Sequence, residues 1–339
     1  MSYLVATGRK WPFGSTPDTG SVWVRGSFDG QVVIAVKSEG TAVYLGVVDE
    51  SGNLIQDLSL IHTEGGFVDN ITHWVEYSSY IVHIAYWRQG YGLYYGRYNV
   101  NTMSFAQAIT LIENDSVRYH NTLKFIGYDG TYSHLIFINN LISPSRLYQI
   151  GLTAAAGIQY GPVNLCDGSY AYGGGGKFNA GTLFYVFYYD QTYGGYSRLD
   201  TNGTGGIVSG PIRMGWSDGG TVFMQSVCGM GASLNNPPSV WAWLYDVNGP
   251  TGTPKFILIR GTDSAGVILY DNYIMRGTYD YMLDMATSDY GKNHSVCGLA
   301  LSRKETFLKA TVKGLFVQVM KSKSLTDRPL SDNISNAST

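Results

Sequence analysis

The hydrophobic positions of this chain fall into short runs bounded by Gly, Asn, Ser and Asp. The segment 73–112 shows the pattern most clearly, because it contains four runs rich in β-branched and aromatic residues: 73–77, 81–87, 92–99 and 106–112. Runs of this composition are typical of β-strands. The second run is apolar on both alternating sides: Ile81, Ala85 and Trp87 on one, Val82, Ile84 and Tyr86 on the other. We therefore expect that strand to be covered on both faces.

Similar apolar runs recur along the whole chain, about every 50 residues, at 31–36, 81–87, 134–139, 183–189, 240–245 and 296–301. Each has a candidate inner strand before it and a further hairpin after it. A four-stranded antiparallel unit covered on both faces is the blade of a β-propeller. Helical periodicity is absent, apart from a weak pattern at 302–312. We predict an all-β fold, a six-bladed β-propeller of four-stranded antiparallel blades.

The repeat predicts one domain, a propeller over residues 1–325, followed by a polar and flexible tail at 326–339. An open ring would expose unpaired strand edges, so we expect the segment 3–7 to add to the last blade and close it. The chain resembles β-propellers in general over most of its length and matches no family motif. Ser217-Asp218-Gly219 is similar to part of the Asp box of sialidases, but its spacing differs and there is no second copy.

Composition narrows the classes of partner. A net charge of -2 and a pI near 6.3 provide no basic surface for nucleic acid. Charged residues are only 14% of the chain, whereas Tyr and Gly number 27 and 43, so the surface is polar mainly through uncharged groups. Such surfaces are typical of binding loops and of secreted or virion proteins. Because the N-terminus has neither a signal-peptide pattern nor a membrane anchor, we expect a virion or extracellular location without a signal peptide, or alternatively a cytoplasmic one.

No cofactor or metal is expected. The cysteines Cys166, Cys228 and Cys297 form no CxxC pair. The six histidines have no metal-ligand spacing, so we expect them to be satisfied core or turn residues. No phosphate-binding glycine motif precedes a helix, and we expect the glycine run at 173–176, which precedes a strand, to be a flexible loop between blades. The inner strands carry ionisable residues of mixed type, at 25, 76, 124, 177 and 284, so no catalytic group stands out. The Asp-Gly pairs at 29–30 and 129–130 are typical of hairpin turns, which gives those aspartates a structural role.

The candidate site follows from the order of strands in a meander. Loops between the second and third strands share one edge with the loops that join successive blades, and aromatic residues concentrate there. The candidate binding residues are Trp87, Arg88, Tyr91, Tyr94, Tyr119, Tyr172, Tyr189 and Tyr193. Exposed rings beside Arg, Asp and Gln suit a carbohydrate or a protein contact, although many of these tyrosines could instead pack on neighbouring loops.

Three functions fit these observations. We expect a non-enzymatic recognition or assembly module, a virion structural or attachment component that binds a glycan or neighbouring protein subunits, including copies of itself. The alternative is a propeller-type glycan-active hydrolase, sialidase-like or a glycosidase, which would need carboxylates or arginines converging on one channel. An intracellular scaffold is disfavoured by the scarcity of charge.

Overall fold

The structure is a computed structural model. The described backbone comprises residues 2–13, 19–27, 30–49, 54–76, 79–114, 120–139, 141–167, 169–177, 182–190, 192–193, 195–217, 222–230, 239–247, 256–262, 268–275, 281–287, 296–307 and 310–324. Side chains are described within residues 36–213, with gaps. The tail predicted at 326–339 lies outside the described residues.

The described strands form six four-stranded sheets. The first strand of the chain, β1 (Ser2–Phe13), belongs to the last of them. Sheet 1 contains β2 (Thr19–Ser27), β3 (Gly30–Glu39), β4 (Ala42–Asp49) and β5 (Leu54–Thr63). Sheet 2 contains β6 (Val68–Val75), β7 (Ile81–Arg88), β8 (Gly92–Asn99) and β9 (Ser104–Asn114). Sheet 3 contains β10 (His120–Tyr128), β11 (Tyr132–Asn139), β12 (Arg146–Thr153) and β13 (Ile158–Asp167).

The remaining sheets repeat this order. Sheet 4 contains β14 (Ser169–Lys177), β15 (Leu183–Asp190), β16 (Gly195–Asn202) and β17 (Ile207–Ser217). Sheet 5 contains β18 (Val222–Met230), β19 (Ser239–Val247), β20 (Phe256–Thr262) and β21 (Ile268–Met275). Sheet 6 contains β22 (Tyr281–Thr287), β23 (Val296–Phe307) and β24 (Ala310–Ser324), with β1 at its edge.

Consecutive strands pair antiparallel within every sheet, and β1 pairs antiparallel with β24, from Ser2 opposite Ser324 to Phe13 opposite Lys313. The first strand of each sheet also lies beside the first strands of two other sheets, in the order β2, β6, β10, β14, β18, β22 and back to β2. The described residues contain no helix, and hence none long and apolar enough to cross a membrane. The prediction of an all-β fold built from antiparallel sheets is confirmed.

Strand β7 shows why the sheets stack. Val82, Ile84 and Tyr86 belong to a core cluster with residues of sheet 1, and Ala85 and Trp87 belong to another with residues of sheet 3. Residues of a strand point alternately to its two faces, so one strand contributes to two cores. The next sheet repeats this, because Leu135 of β11 packs toward sheet 2 while Ile136 packs toward sheet 4. The predicted double coverage of β7 is confirmed.

Two predicted boundaries were wrong, for different reasons. The first strand of sheet 2 was expected at 73–77 but is Val68–Val75. A bulge between Asp69 and Thr72, with Asn70 at φ 48, interrupts the alternation from which the strand was predicted. The glycine run at 173–176 was expected to be a loop but lies within β14. A Cβ on Gly175 would lie 2.4 Å from the Tyr185 carbonyl oxygen, so close strand packing requires glycine there.

The turn between β10 and β11 also differs from the expected Asp-Gly centre. The Asp129 amide donates to the Tyr132 carbonyl, so the two central residues are Gly130, with φ 101, and Thr131. Asp129 precedes the turn, and its Oδ1 accepts hydrogen bonds from the amides of Thr131 and Tyr132, at 2.8 and 2.7 Å. The structural role predicted for Asp129 is thereby confirmed, although in another turn position. The turn at 28–29 lies outside the described residues.

Candidate functional site

An arginine and a glutamate meet where two connections of sheet 2 approach each other. Arg88 is the last residue of β7, and Glu64 directly follows β5 in the connection from sheet 1. Arg88 Nη1 lies 3.2 Å from Glu64 Oε2, and the two side chains are only 12% and 8% exposed. The backbone ties the connections together as well, because the Gln89 amide donates to the Phe67 carbonyl at 3.2 Å. The ion pair is therefore held at one edge of the sheet by two chain segments.

Aromatic rings surround the guanidinium of Arg88. Its Cζ lies 3.7 Å from the centroid of the Tyr91 ring, and its Nη1 donates to the Tyr94 hydroxyl at 3.2 Å. Tyr94 in turn stacks on Tyr86, with centroids 5.4 Å apart and planes 9° apart. Tyr91, in the hairpin between β7 and β8, is 50% exposed. Phe67, three residues after Glu64 in the same connection, is 43% exposed. The cluster therefore presents rings to solvent above a nearly buried ion pair.

Glu64 organises the polar groups beneath these rings. Besides Arg88, it accepts a hydrogen bond from the Tyr86 hydroxyl and lies 3.1 Å from His62 Nε2. Tyr86 is fully buried, and burial together with the neighbouring Glu64 carboxylate raises the pKa of its hydroxyl. The Tyr86 hydroxyl therefore stays protonated and inaccessible, so it acts as a donor that orients Glu64 and not as a nucleophile.

Two glycines allow the connection to wrap around the arginine. A Cβ on Gly66 would lie 2.8 Å from Arg88 Nε, and one on Gly65 would lie 3.1 Å from Nη2. Any larger residue at Gly66 would push the guanidinium away from its partners. We name the group Glu64, Gly66, Arg88, Tyr91 and Tyr94 the Arg88 site. It offers N–H donors, carboxylate oxygens and the face of an exposed ring within one small region.

Two further arginines lie at the corresponding edge of sheets 3 and 4. Arg146, at the start of β12, lies 2.9 Å from the Asp167 carboxylate, and Phe137 stacks on Tyr148 with centroids 5.4 Å apart. In sheet 4, the Cζ of Arg213 on β17 lies 4.5 Å from the centroid of Tyr193, which is in the hairpin between β15 and β16. An arginine thus lies at this edge in three successive sheets, and in sheets 2 and 4 it contacts an aromatic ring.

The predicted binding residues are placed unequally. Arg88, Tyr91 and Tyr94 come together in the Arg88 site, and Tyr193 contacts Arg213 two sheets away. Tyr189 is half-buried in β15. The expectation that the Trp87 ring is exposed is wrong, because the ring is only 4% exposed. Trp87 lies on the same side of β7 as Ala85, and that side packs into the core between sheets 2 and 3.

Two of the predicted residues are not part of the described surface. Tyr119 lies outside the described residues. Tyr172 was expected in a connection but lies within β14, and its side chain is not among those described. Their place at the candidate site remains a prediction.

At the opposite edge of sheet 2, a carboxylate is buried against a histidine. Glu76 Oε1 accepts from His83 Nε2 and from Arg97 Nη2, both at 2.7 Å, and Oε2 accepts from the Ser79 hydroxyl at 2.5 Å. Burial raises the pKa of Glu76, but the hydrogen bonds from His83, Ser79 and Arg97 outweigh it and lower this pKa to about 2. Glu76 is thus an ionised structural group.

The histidines complete chains of hydrogen bonds. Since His83 Nε2 donates to a carboxylate, Nδ1 of the neutral ring accepts, and it lies 2.7 Å from both the Tyr95 hydroxyl and Ser133 Oγ of sheet 3. Sheet 3 repeats the arrangement, with His134 between Asp129 Oδ2 at 3.0 Å and the Tyr160 hydroxyl at 2.8 Å. Burial lowers the pKa of His83 and so favours the neutral ring. The prediction of satisfied core histidines is confirmed for His83 and His134.

Sequence reasoning missed Glu64, His62 and Arg213. Glu64 could have been found, because its Glu-Gly-Gly segment lies in a connection between repeats, the class of loop expected to form the candidate face. Arg213 had no such signal, since it lies in an outer strand and meets Tyr193 only through the pairing of β16 with β17. Among the side chains that the structure describes, no group of three or more His, Cys, Asp or Glu is arranged to hold a metal ion.

Comparison with known proteins finds solved structures with a similar fold but no related sequence family. No family model matches the chain, and no curated protein is similar in sequence. A Dyadobacter fermentans protein of unknown function is 9% identical over 94% of this chain and 98% of its own, with a TM-score of 0.63. A lectin of Aleuria aurantia, solved in complex with α-methyl-L-fucoside, is 8% identical over 94% of this chain and 99% of its own, with a TM-score of 0.56. A Hadza microbial sialidase is 8% identical over 91% of this chain and 66% of its own, with a TM-score of 0.56.

Proposed function

We propose that this chain is a carbohydrate-binding module with the fold of a six-bladed β-propeller, and that the Arg88 site is one of its binding sites. The observation that carries the proposal is the Arg88–Glu64 ion pair, nearly buried and covered on one side by the half-exposed ring of Tyr91, 3.7 Å from the guanidinium. The proposal concerns neutral sugars at this site, because the two charges compensate each other.

Three features support the six-bladed ring. The six sheets share one strand order, their first strands neighbour one another in a closed sequence, and β1 completes the last sheet by pairing with β24. Strand β7 buries both faces between two sheets, which stacked blades require. The lectin and the sialidase with the same general fold act on or bind carbohydrates according to their names, which agrees with a glycan ligand.

The chemistry of the Arg88 site matches a sugar better than a peptide. A pyranose presents hydroxyls that both donate and accept, so a guanidinium beside a carboxylate can hold two of them, one through N–H donors and one through carboxylate oxygens. The C–H face of the same ring packs on an aromatic face, here Tyr91. Because Tyr86 and Tyr94 already orient Glu64 and Arg88, little side-chain entropy is lost on binding.

The test is binding to immobilised neutral mono- and oligosaccharides by the wild type and by three variants, Tyr91→Ala, Arg88→Lys and Glu64→Gln. We expect each variant to bind about tenfold more weakly or worse, since losing one well-placed contact costs roughly 1.4 kcal/mol or more. Tyr132→Ala is the matched control, because Tyr132 starts β11 at the opposite edge. Circular dichroism checks that the variants fold. Absence of sugar binding by the wild type, or full binding by Tyr91→Ala, would refute the proposal.

The hydrolase alternative has no specific support at the Arg88 site. The hydroxyl and the carboxylate that such an enzyme could use are Tyr86 and Glu64. Tyr86 is fully buried, and Glu64 is already paired with Tyr86, His62 and Arg88. Binding to neighbouring protein subunits, a homo-oligomer and a virion or extracellular location stay predictions from composition. Immunolabelling of native particles or of the producing cells with antibodies against this chain would test them.

A further inference from the structure

The five arginines whose side chains the structure describes differ in how their charge is balanced. Four lie within an ion-pair distance of a carboxylate: Arg88 with Glu64, Arg97 with Glu76, Arg146 with Asp167 and Arg198 with Asp200, at 3.2, 2.7, 2.9 and 3.0 Å. Arg213 is the fifth. Among the described side chains, its guanidinium contacts the ring of Tyr193, whose centroid lies 4.5 Å from its Cζ.

Among the side chains that the structure describes, no carboxylate forms an ion pair with Arg213. The side chain is exposed, and Tyr193 beneath it is half-buried, so one face of the guanidinium lies over a supported ring. The Asp190 carboxylate stabilises the hairpin, because its Oδ1 accepts from the amides of Thr192 and Tyr193, at 3.0 and 3.1 Å. That turn fixes the backbone of Tyr193 and thereby the ring on which Arg213 rests.

A guanidinium that stacks through its face keeps its N–H groups in its own plane, where they can form two parallel hydrogen bonds with an oxyanion. A neutral hydroxyl would use only one of them and would leave the charge uncompensated. From this we infer that Arg213 and Tyr193 form a second subsite on the loop edge, one that takes a sugar bearing a carboxylate or a sulfate. Tyr193 supports the cation, and the oxyanion completes the pair that the other described arginines already possess.

This inference rests on the proposed function for its ligand class, but the two subsites differ in chemistry and can fail separately. The Arg88 site is internally neutral, so it discriminates little between a neutral sugar and its acidic analogue. The Arg213 subsite distinguishes them through its unbalanced charge. Charge-assisted hydrogen bonds are stronger than hydrogen bonds between neutral groups, so we expect at least about a tenfold preference for the acidic ligand.

The experiment measures calorimetric affinities for three matched disaccharides: one ending in glucuronic acid, the same one with its carboxyl reduced to an alcohol, and the reduced one sulfated at the 6-position. The wild type is expected to prefer the carboxylated or the sulfated disaccharide, and the stronger of the two identifies the oxyanion. Arg213→Gln is expected to abolish that preference and to leave binding of the reduced disaccharide unchanged. Tyr193→Phe, which keeps the ring, is expected to retain the preference, whereas Tyr193→Leu reduces it.

The controls separate the possible failures. Arg146→Gln removes an arginine of the same edge that already has a carboxylate partner, and it should leave the preference intact. Equal affinity of the wild type for all three disaccharides, or a preference that survives in Arg213→Gln, overturns the subsite while the proposed function stands. Equal competition by poly-L-glutamate overturns it too, because charge alone would then explain binding. If the wild type binds no neutral sugar, the proposed function fails, and loss of inorganic sulfate binding in Arg213→Gln still supports the anion subsite.

Discussion

The Glu76 carboxylate stabilises the contact between sheets 2 and 3, and replacing it tests the packing of the whole fold. Glu76 holds His83, and His83 reaches Ser133 of the next sheet at 2.7 Å. Glu76→Gln keeps the size of the side chain but removes its charge. We expect the variant to remain folded and to be less stable at pH 7, because Arg97 and His83 lose an ionised acceptor.

The magnitude follows from the pKa of Glu76, which falls from 4.5 to about 2 on folding. At about 1.36 kcal/mol per pKa unit this corresponds to about 3 kcal/mol, and solvent screening near the surface reduces it to about 2 kcal/mol. A depressed carboxyl pKa stabilises the fold fully above pH 4.5, and the contribution is lost as the pH falls from 4.5 to 2. The wild type and Glu76→Gln should therefore differ at pH 7 and converge near pH 2.

The assay is urea denaturation at several pH values, followed by the fluorescence of Trp74 and Trp87, which pack in the core between sheets 2 and 3. Ser79→Ala is a graded control, since it removes one of the three hydrogen bonds to Glu76 and should cost about 1 kcal/mol at pH 7. Equal free energies of unfolding for the wild type and Glu76→Gln at pH 7, or a difference that persists near pH 2, would refute this account of the interface.

Other substitutions probe the site and the packing separately. Gly66→Ala places a Cβ 2.8 Å from Arg88 Nε, so it should displace that flexible side chain. We expect sugar binding to weaken about tenfold and the denaturation midpoint to stay nearly unchanged. Unchanged sugar affinity would contradict the assigned site. Gly151→Ala places a Cβ 2.1 Å from the Tyr160 ring and should disrupt the hydrogen bonds of Tyr160 with His134 and Gln149. We expect it to lower the free energy of unfolding, measured by urea denaturation, by about 3 kcal/mol or more. Gly90→Ala is the control: no atom lies near its Cβ, and its φ of 78 should cost about 1 kcal/mol. The buried neutral His83 adds an acid sensitivity, because burial lowers its pKa below 6.5 and the unfolded chain binds the proton first; His83→Gln should lose stability less steeply than the wild type as the pH falls below 6.5.

The candidate site was only partly predictable from the sequence. Arg88, Tyr91 and Tyr94 lie within seven residues of one another around a single hairpin, so local sequence brought them together. Glu64 reaches Arg88 from the connection of the preceding sheet, and Arg213 reaches Tyr193 across the pairing of β16 with β17. Contacts between residues that are distant along the chain depend on strand register and on the stacking of sheets. Local sequence patterns specify neither.

The class of fold follows from the sequence alone. Strands such as β7 are apolar on both sides and must be covered on both faces, and without helical periodicity the covering layers are other sheets. Which rings remain exposed depends on the packing of the sheets. Trp87 and Arg88 are neighbours in sequence, yet the alternation of the strand directs Trp87 into a core while Arg88 joins Glu64 at the edge. Strand pairing and sheet stacking likewise bring Arg88, Arg97 and Arg146 to carboxylates that are distant along the chain, whereas Arg198 and Asp200 are two residues apart on β16.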